Sequence, residues 1–181
     1  MFDSLPDPIK ILNDVSSAAG IPVHEYAIMP TSAVPFSPSL LDYCKKNVCG
    51  NYNKSWTCPP ACENTEEQQE KILLYKNVLI FTTLHKLEDS FDCEGMTNGR
   101  KLHTLLTAGL KKRFNGAPVY GAGSCAGCDI CAFPSPCPHP EKKIGSIEAA
   151  GINVSELSKA AGIKYNNGSN TVTFFSIILL I

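Results

Sequence analysis

Apolar residues recur at helical spacing in several stretches of the chain. In residues 8–19 they repeat every three or four positions from Ile9 to Ala19, and Gly20 follows as a typical helix end. The same periodicity, preceded by capping residues, predicts further helices. These lie at residues 37–46, 64–75, 97–114 and 152–162.

Two other stretches are apolar almost without interruption, NVLIFTTL at 77–84 and TVTFFSIILLI at 171–181. Their β-branched and aromatic residues favour buried strands. Shorter strands are predicted at 24–30 and 117–124. These elements predict an α+β or three-layer α/β fold, with residues 1–181 as a single compact domain. It would have one small sheet flanked by helices and a cysteine-rich loop region.

The pattern also predicts details of the helices. The helix at 97–114 follows a predicted exposed loop at 86–96 and has one apolar face. That face consists of Leu102, Leu105, Leu106, Leu110 and Phe114. A short helix is predicted near 147–150, and helix caps are predicted at Ser37, Asn64 and Ser155.

Composition is that of a globular protein: 44% of the residues are hydrophobic and 18% are charged. The net charge is −1 and the longest basic block is Lys111–Arg113, which argues against a nucleic-acid surface. The start, MFDSLPDPIK, has no signal-peptide character. The apolar run at 171–181 is shorter than the roughly 20 residues of a membrane helix. We therefore expect a cytoplasmic protein without a membrane segment.

Nine cysteines are the main candidates for chemistry. An odd number without an export signal argues against disulfides, and closely spaced thiols in a reducing compartment are more often metal ligands. Four cysteines fall within one loop, CAGCDICAFPSPCPHP, at Cys125, Cys128, Cys131 and Cys137. Gaps of two residues let successive thiolates converge on one small centre, and the four prolines stiffen the loop.

The spacing in this loop is close to that of a ferredoxin. Ferredoxins carry C-x2-C-x2-C-x3-C-P, and this chain differs in the last gap, which is five residues long. Zinc sites usually draw on two separated CxxC pairs, so the row favours a [4Fe–4S] cluster and leaves zinc as the alternative. Small residues at Gly123, Ala126 and Gly127 leave room for the backbone to approach a cluster.

A second group of cysteines lies upstream. Its members are Cys44, Cys49, Cys58 and Cys62. Their spacing matches no single standard pattern, although Cys58-Pro59 repeats the Cys-Pro pair of the downstream loop. Trp56 and Tyr52 are equally well explained as a shield around a metal or as ordinary packing residues. Cys93 stands alone in an acidic stretch and is predicted to be a free thiol.

Several strings in the chain resemble a family of microbial proteins known as predicted metal-binding proteins, which is common in anaerobes. They lie at residues 49–60, 123–131, 137–141 and 146–154. The resemblance spans about residues 40–181, and it implies a cysteine-bound metal centre without an assigned substrate. The chain departs from the family pattern at Pro138 and at Ile144-Gly145, where arginine is usual, and at Cys62, where the family has no regular cysteine.

Two hypotheses depend on whether Cys62 is a ligand. If it binds, eight cysteines hold two clusters, which suits electron transfer. If it does not, the upstream group leaves one iron open to a small ligand, and redox chemistry at that iron becomes the better interpretation. Glu148 is then a candidate base, or alternatively it caps a helix or pairs with Lys142 or Lys143.

The histidines give weaker signals. His139 follows Cys137 by two residues and either donates a hydrogen bond to a cluster or is simply exposed. No ligand spacing is found around His24, His85 and His103, so packing or surface roles are predicted for them. The chain contains no phosphate loop, nucleophile elbow or dinucleotide fingerprint.

The sequence therefore predicts an iron–sulfur protein with one or two [4Fe–4S] clusters. It would transfer electrons to a redox partner protein or carry out redox chemistry at an open iron. The alternative is a zinc-stabilised interaction module without catalysis. Whether the protein is an enzyme, which partner it has and how it oligomerises are left open by the sequence.

Overall fold

The computed structural model describes residues 7–181 of the chain. Its helices are α1 (Pro8–Ala19), α2 (Leu40–Lys45), α3 (Thr65–Leu73), α4 (Cys93–Arg113) and α5 (Val154–Ala161). Its strands are β1 (Tyr26–Pro30), β2 (Asn77–Lys86), β3 (Val119–Gly121), β4 (Gly145–Ser146) and β5 (Thr171–Leu180).

The strands form one mixed sheet in the order β1-β2-β5-β3-β4. β2 and β5 are antiparallel over their whole lengths, from the pair Asn77–Leu180 to the pair Lys86–Thr171. β1 joins β2 and β3 joins β5 in antiparallel pairs, whereas β3 and β4 run parallel. The predicted α+β fold with one small sheet and flanking helices is confirmed.

Both faces of the sheet are buried. On β2, Val78 and Ile80 belong to one core, and Leu79 and Phe81 belong to the other. Residues of α3 and α5 complete the first core, and residues of α1 and α4 complete the second. Burial on both sides explains why β2 and β5 are apolar almost throughout instead of alternating with polar residues.

The inward face of α4 differs from the predicted apolar face. Leu106 and Leu110 are fully buried, but Leu102 and Leu105 are 44% and 60% exposed. The prediction was wrong for these two leucines because a polar residue, His103, occupies the inward position between them.

Two hydroxyl groups hold His103 against the sheet. Its Nδ1 lies 2.9 Å from Thr83 Oγ1 on β2, and its Nε2 lies 2.9 Å from Ser176 Oγ on β5. Thr83 Oγ1 is also 2.9 Å from His85 Nε2, and Ser176 Oγ is 3.2 Å from Thr107 Oγ1. His103 therefore connects α4 to both central strands through satisfied polar groups, which a buried imidazole requires.

The start of α4 is set by a side-chain cap. The helix begins at Cys93, inside the predicted loop at 86–96, because the Asp92 carboxylate accepts a hydrogen bond of 2.7 Å from the Gly95 N–H. Residues 87–92 remain the predicted loop, since Lys86 is the last residue of β2.

Three further predictions about helices were wrong: the starts of α2 and α5, and the short helix near 147–150. α2 begins at Leu40, because the backbone at Ser37 is still hydrogen-bonded to the turn formed by residues 147–151. That turn replaces the short helix predicted there. α5 is capped by Asn153, whose side chain accepts the N–H of Ser155, the residue predicted as the cap.

None of the helices within residues 7–181 is long and apolar enough to cross a membrane. The apolar run near the end of the chain forms strand β5. Residues 1–6, part of the segment without signal-peptide character, lie outside the described residues.

Paired leucine variants test the observed orientation of α4. We expect Leu106→Ala to lower the free energy of unfolding by about 2–5 kcal/mol, because it leaves a cavity between helix and sheet. Leu105→Ala should change it by no more than about 0.5 kcal/mol, since that side chain is exposed. Urea denaturation of the purified variants measures both, and equal losses would contradict the orientation.

Burial of His103 predicts a pH dependence of stability. Burial lowers the pKa of His103 to about 3, so between this value and the ordinary 6.5 the unfolded chain binds a proton that the folded chain does not. Stability should therefore fall with decreasing pH in this window, with a slope approaching about 1.4 kcal/mol per pH unit. Burial also lowers the pKa of His85, which adds to the slope. Urea denaturation below pH 6.5 should give a flatter slope for His103→Asn, and an unchanged slope would contradict this account.

Candidate metal centre

The candidate ligands lie near the sheet edge formed by β3 and β4. The downstream loop, residues 122–144, connects these two strands and contains Cys125, Cys128, Cys131 and Cys137. The upstream group contains Cys44 in the last turn of α2 and Cys49, Cys58 and Cys62 in the irregular segment before α3. All nine cysteines carry free thiols.

Three cysteines of the upstream group line a cavity of about 290 Å³, which we name the upstream cavity. They are Cys44, Cys49 and Cys58. The other walls are largely apolar and include Tyr52, one of the residues considered as a shield. Among the lining residues, Glu148 alone carries a charge. The upstream cavity therefore contains three soft sulfur donors and one hard carboxylate, and its other walls are mostly apolar.

Burial and crowding favour the protonated form of these thiols. Burial, followed by the nearby thiols of Cys49, Cys62 and Cys44, raises the pKa of Cys58 to about 11. Burial, the Cys49 thiol and the Glu148 carboxylate likewise raise the pKa of Cys44. A bound cation would replace the protons and stabilise the thiolates, so this donor set fits a metal that prefers sulfur.

Cys62 belongs to the upstream group but does not line the upstream cavity. Its N–H donates to the Cys58 carbonyl at 3.1 Å, one helical turn away. Its sulfur accepts a long hydrogen bond, 3.8 Å, from Gln68 Nε2 on α3. Burial raises the pKa of Cys62. The side chain is thus already engaged with α3.

Three downstream cysteines line a second cavity of about 350 Å³, the downstream cavity. They are Cys125, Cys128 and Cys131. Lys54, Arg100 and Lys101 lie around the same cavity, together with one acidic residue, Asp129. The surroundings of the downstream cysteines therefore carry an excess of positive charge, which favours thiolates and anionic clusters.

Backbone N–H groups are directed at the sulfur of Cys125. It accepts from the Gly127 and Ile144 N–H groups, each at 3.5 Å. A Cβ atom at Gly127 would lie 3.0 Å from the Lys142 carbonyl oxygen, so glycine allows the close approach of the two chain segments. Such N–H groups stabilise negative charge on sulfur.

Cys131 has the opposite pKa shift to Cys58. Burial acts to raise its pKa, but hydrogen bonds from the Phe133 and Trp56 N–H groups outweigh this effect. A further hydrogen bond comes from the Ser55 hydroxyl, and the pKa of Cys131 is lowered as a result. The downstream loop and the upstream segment therefore combine to stabilise one thiolate.

The upstream segment packs directly on the downstream loop. Thr57 Oγ1 accepts a hydrogen bond of 2.9 Å from the Cys125 N–H. Trp56 Nε1 donates to the Ser135 carbonyl at 2.9 Å, and its ring meets Phe133 edge-on at 5.0 Å. The sequence did not reveal these contacts, because they join residues about 70 to 80 positions apart. Only the fold determines which of these residues meet.

Glu148 is fixed by two hydrogen bonds. Its Oε2 accepts from the Gly123 N–H at 2.9 Å and from Ser146 Oγ at 3.1 Å. Within residues 7–181 it forms no ion pair with Lys142 or Lys143. It also caps no helix, because it lies in a turn. Neither of the ordinary roles considered for Glu148 accounts for its position.

Other candidates lie away from both cavities. His139 is exposed, with its Nδ1 3.6 Å from Glu141 Oε1. His24 lies 3.1 Å from Asn167 Oδ1, and Cys93 is exposed at the start of α4. None of these side chains lines either cysteine cavity.

The structure brings most of the predicted ligands together in two groups, but in neither group do the side chains converge on one common centre. Cys62 and Cys137 line neither cavity. Within the part of the chain that the structure describes, no three His, Cys, Asp or Glu side chains form a site for a single metal ion.

The pKa shifts predict unequal reactivity of the metal-free protein. At pH 8, Cys131 should react with iodoacetamide at least about tenfold faster than Cys58, because a far larger fraction of it is thiolate. Timed alkylation followed by peptide mass spectrometry measures both rates, with the exposed Cys93 as an internal reference. Equal rates for Cys131 and Cys58 would contradict the described environments.

Comparison with known proteins gives one match. No curated protein and no solved structure matches the chain. A family model described as "Predicted metal-binding protein (DUF2284)" matches residues 27–180, which include both cysteine groups and every strand except the first residue of β1. The expected resemblance is confirmed, and the chain belongs to this family of predicted metal-binding proteins.

Proposed function

We propose that the protein binds [4Fe–4S] clusters and works in cytoplasmic electron transfer. The downstream loop holds one cluster through Cys125, Cys128, Cys131 and Cys137. The upstream group holds a second cluster, for which Cys44, Cys49 and Cys58 supply thiolates. Membership of a metal-binding family and the free state of all nine thiols support a metal role.

The hydrogen bonding of the downstream sulfurs supports the iron–sulfur interpretation best. Cys125 and Cys131 lie in a row with gaps of two residues, and the Cys125 sulfur accepts hydrogen bonds from two backbone N–H groups of the loop. Hydrogen bonds to sulfur and nearby cations are the features by which proteins set the potentials of iron–sulfur clusters. The same features give a redox role a physical basis.

The contact between the two cysteine groups supports electron transfer between them. Thr57 precedes Cys58 in the chain and accepts the N–H of Cys125. One covalent linkage and one hydrogen bond therefore join a ligand of the upstream group to a ligand of the downstream loop. A short, packed connection of this kind favours exchange of electrons between two centres.

The rim of the downstream cavity supports docking of a redox partner protein. Ile130, between Cys128 and Cys131, is 88% exposed. Lys54 and Lys101 border the same cavity. An exposed apolar residue beside a cavity with three basic residues and one acidic residue is complementary to an acidic electron carrier, and charge of this kind mainly accelerates association.

Metal analysis of anaerobically purified protein tests the proposal. We expect brown protein with a broad visible absorption band and equal amounts of iron and acid-labile sulfide, about eight of each per chain for two clusters. Colourless protein with stoichiometric zinc would contradict the proposal and would support a zinc-stabilised interaction module instead.

A cysteine pair tests the downstream site. Cys128→Ser should lose the downstream cluster, so iron and sulfide fall by about half. Its melting temperature should also fall, because metal binding and folding are linked. Cys93→Ser is the matched control and should keep both the metal content and the melting temperature, since Cys93 lies outside both cavities. Full metallation of Cys128→Ser would show that Cys128 is no ligand.

A further inference from the structure

The upstream cavity offers three thiols, whereas a [4Fe–4S] cluster has four irons. If the upstream group binds such a cluster, as proposed above, one iron needs a ligand other than Cys44, Cys49 and Cys58. Within residues 7–181, the nearest thiol or carboxylate groups besides these three are those of Cys62 and Glu148. Their surroundings differ in ways that distinguish them.

Cys62 is the poorer candidate because of its position. It does not line the upstream cavity, and its sulfur lies 3.8 Å from Gln68 Nε2 on α3. Gln68 is buried, and the same amide donates to the carbonyls of Glu63 at 2.7 Å and Ala149 at 3.3 Å. The two hydrogens of the amide are taken up by these carbonyl oxygens, so its contact with the Cys62 sulfur is the weakest of the three. The position of Cys62 outside the upstream cavity is what distinguishes it from Glu148.

Glu148 lines the upstream cavity together with the three cysteines. Its Oε2 is held by the Gly123 N–H and Ser146 Oγ, while its Oε1 accepts no hydrogen bond from any residue within 7–181. Ser146 is itself buried, and its hydroxyl accepts the Ala149 N–H at 3.3 Å. Carboxylates that bind metals are commonly oriented in this way, with one oxygen hydrogen-bonded and the other directed at the metal.

The charge of Glu148 supports the same role. The carboxylate lines the same cavity as Cys44, and no basic side chain lines that cavity to neutralise it. An anionic oxygen beside three crowded thiols is unfavourable in metal-free protein. A cationic iron centre at this position would reverse the sign of the interaction.

We infer that Glu148 is the fourth protein ligand of the upstream cluster, through Oε1, and that Cys62 is not a ligand. This inference rests on the proposed iron–sulfur function. Carboxylate oxygen is a harder donor than thiolate and matches soft cluster iron less well. The iron bound by Glu148 is then the one whose protein ligand is most easily exchanged for a small ligand.

Matched variants distinguish Glu148 from Cys62. Clusters are reconstituted with isotopically enriched iron in wild type, Glu148→Ala, Glu148→Gln, Glu148→Cys and Cys62→Ala. Mössbauer spectroscopy of the wild type should show one iron with an oxygen-ligand signature. In Glu148→Cys this iron should take on the signature of the sulfur-bound irons, and Cys62→Ala should leave the wild-type spectrum unchanged.

Mild oxidation provides a second readout. Glu148→Ala and Glu148→Gln should lose one of the four upstream irons, which electron paramagnetic resonance detects as a three-iron signal. Glu148→Gln retains the shape of the side chain, so it reports on the ligand if Glu148→Ala fails to fold. Cys62→Ala should lose no more iron than wild type.

Several results would overturn the inference. If Cys62→Ala loses the fourth iron and Glu148→Gln keeps it, Cys62 is the ligand. If neither variant differs from wild type, the fourth iron has no ligand from these two residues. Retention of the downstream cluster in either case would leave the iron–sulfur function intact, whereas wild-type protein without iron and sulfide would contradict that function and the inference together.

Discussion

The pairing of β2 with β5 is the interaction on which the rest of the molecule depends. These two strands are ten residues long, are paired over their whole length and are covered by helices on both faces. Most inward positions on them are therefore apolar, and the buried hydroxyls of Thr83 and Ser176 are satisfied by His103. The cysteines are placed instead near the β3–β4 edge, where the chain is irregular and partly accessible to solvent.

The sequence was sufficient for the features that depend on local pattern. The long apolar runs identified β2 and β5, and the Gly20 stop and the Asn64 cap identified the ends of α1 and α3. The inward face of α4 could not be predicted from periodicity, because Thr83 and Ser176 make a histidine acceptable where a leucine was expected. A polar residue in a core depends on partners from distant parts of the chain.

The candidate site likewise has some features that follow from spacing in the sequence and others that depend on tertiary contacts. Spacing alone identified the two groups of cysteines, since metal ligands in a loop must be close in sequence to converge. It could not identify the hydrogen bond from Cys125 to Thr57 or the fixed position of Glu148, because both depend on how the β3–β4 edge meets the segment before α3. Whether Cys62 is a ligand could not be decided from the sequence either, because its position depends on contacts with residues such as Gln68.

The downstream loop also has a consequence for the outer edge of the sheet. Parallel neighbours such as β3 and β4 are usually joined by a helix that packs across the sheet, yet here an irregular loop makes the connection. β3 is three residues long and β4 pairs with two of them, so β4 is the edge strand on this side of the sheet. An edge strand of two residues offers little unpaired backbone to strands of other molecules. The side of the sheet that carries the candidate ligands is therefore also the side less open to edge-to-edge association, because the other edge strand, β1, is five residues long.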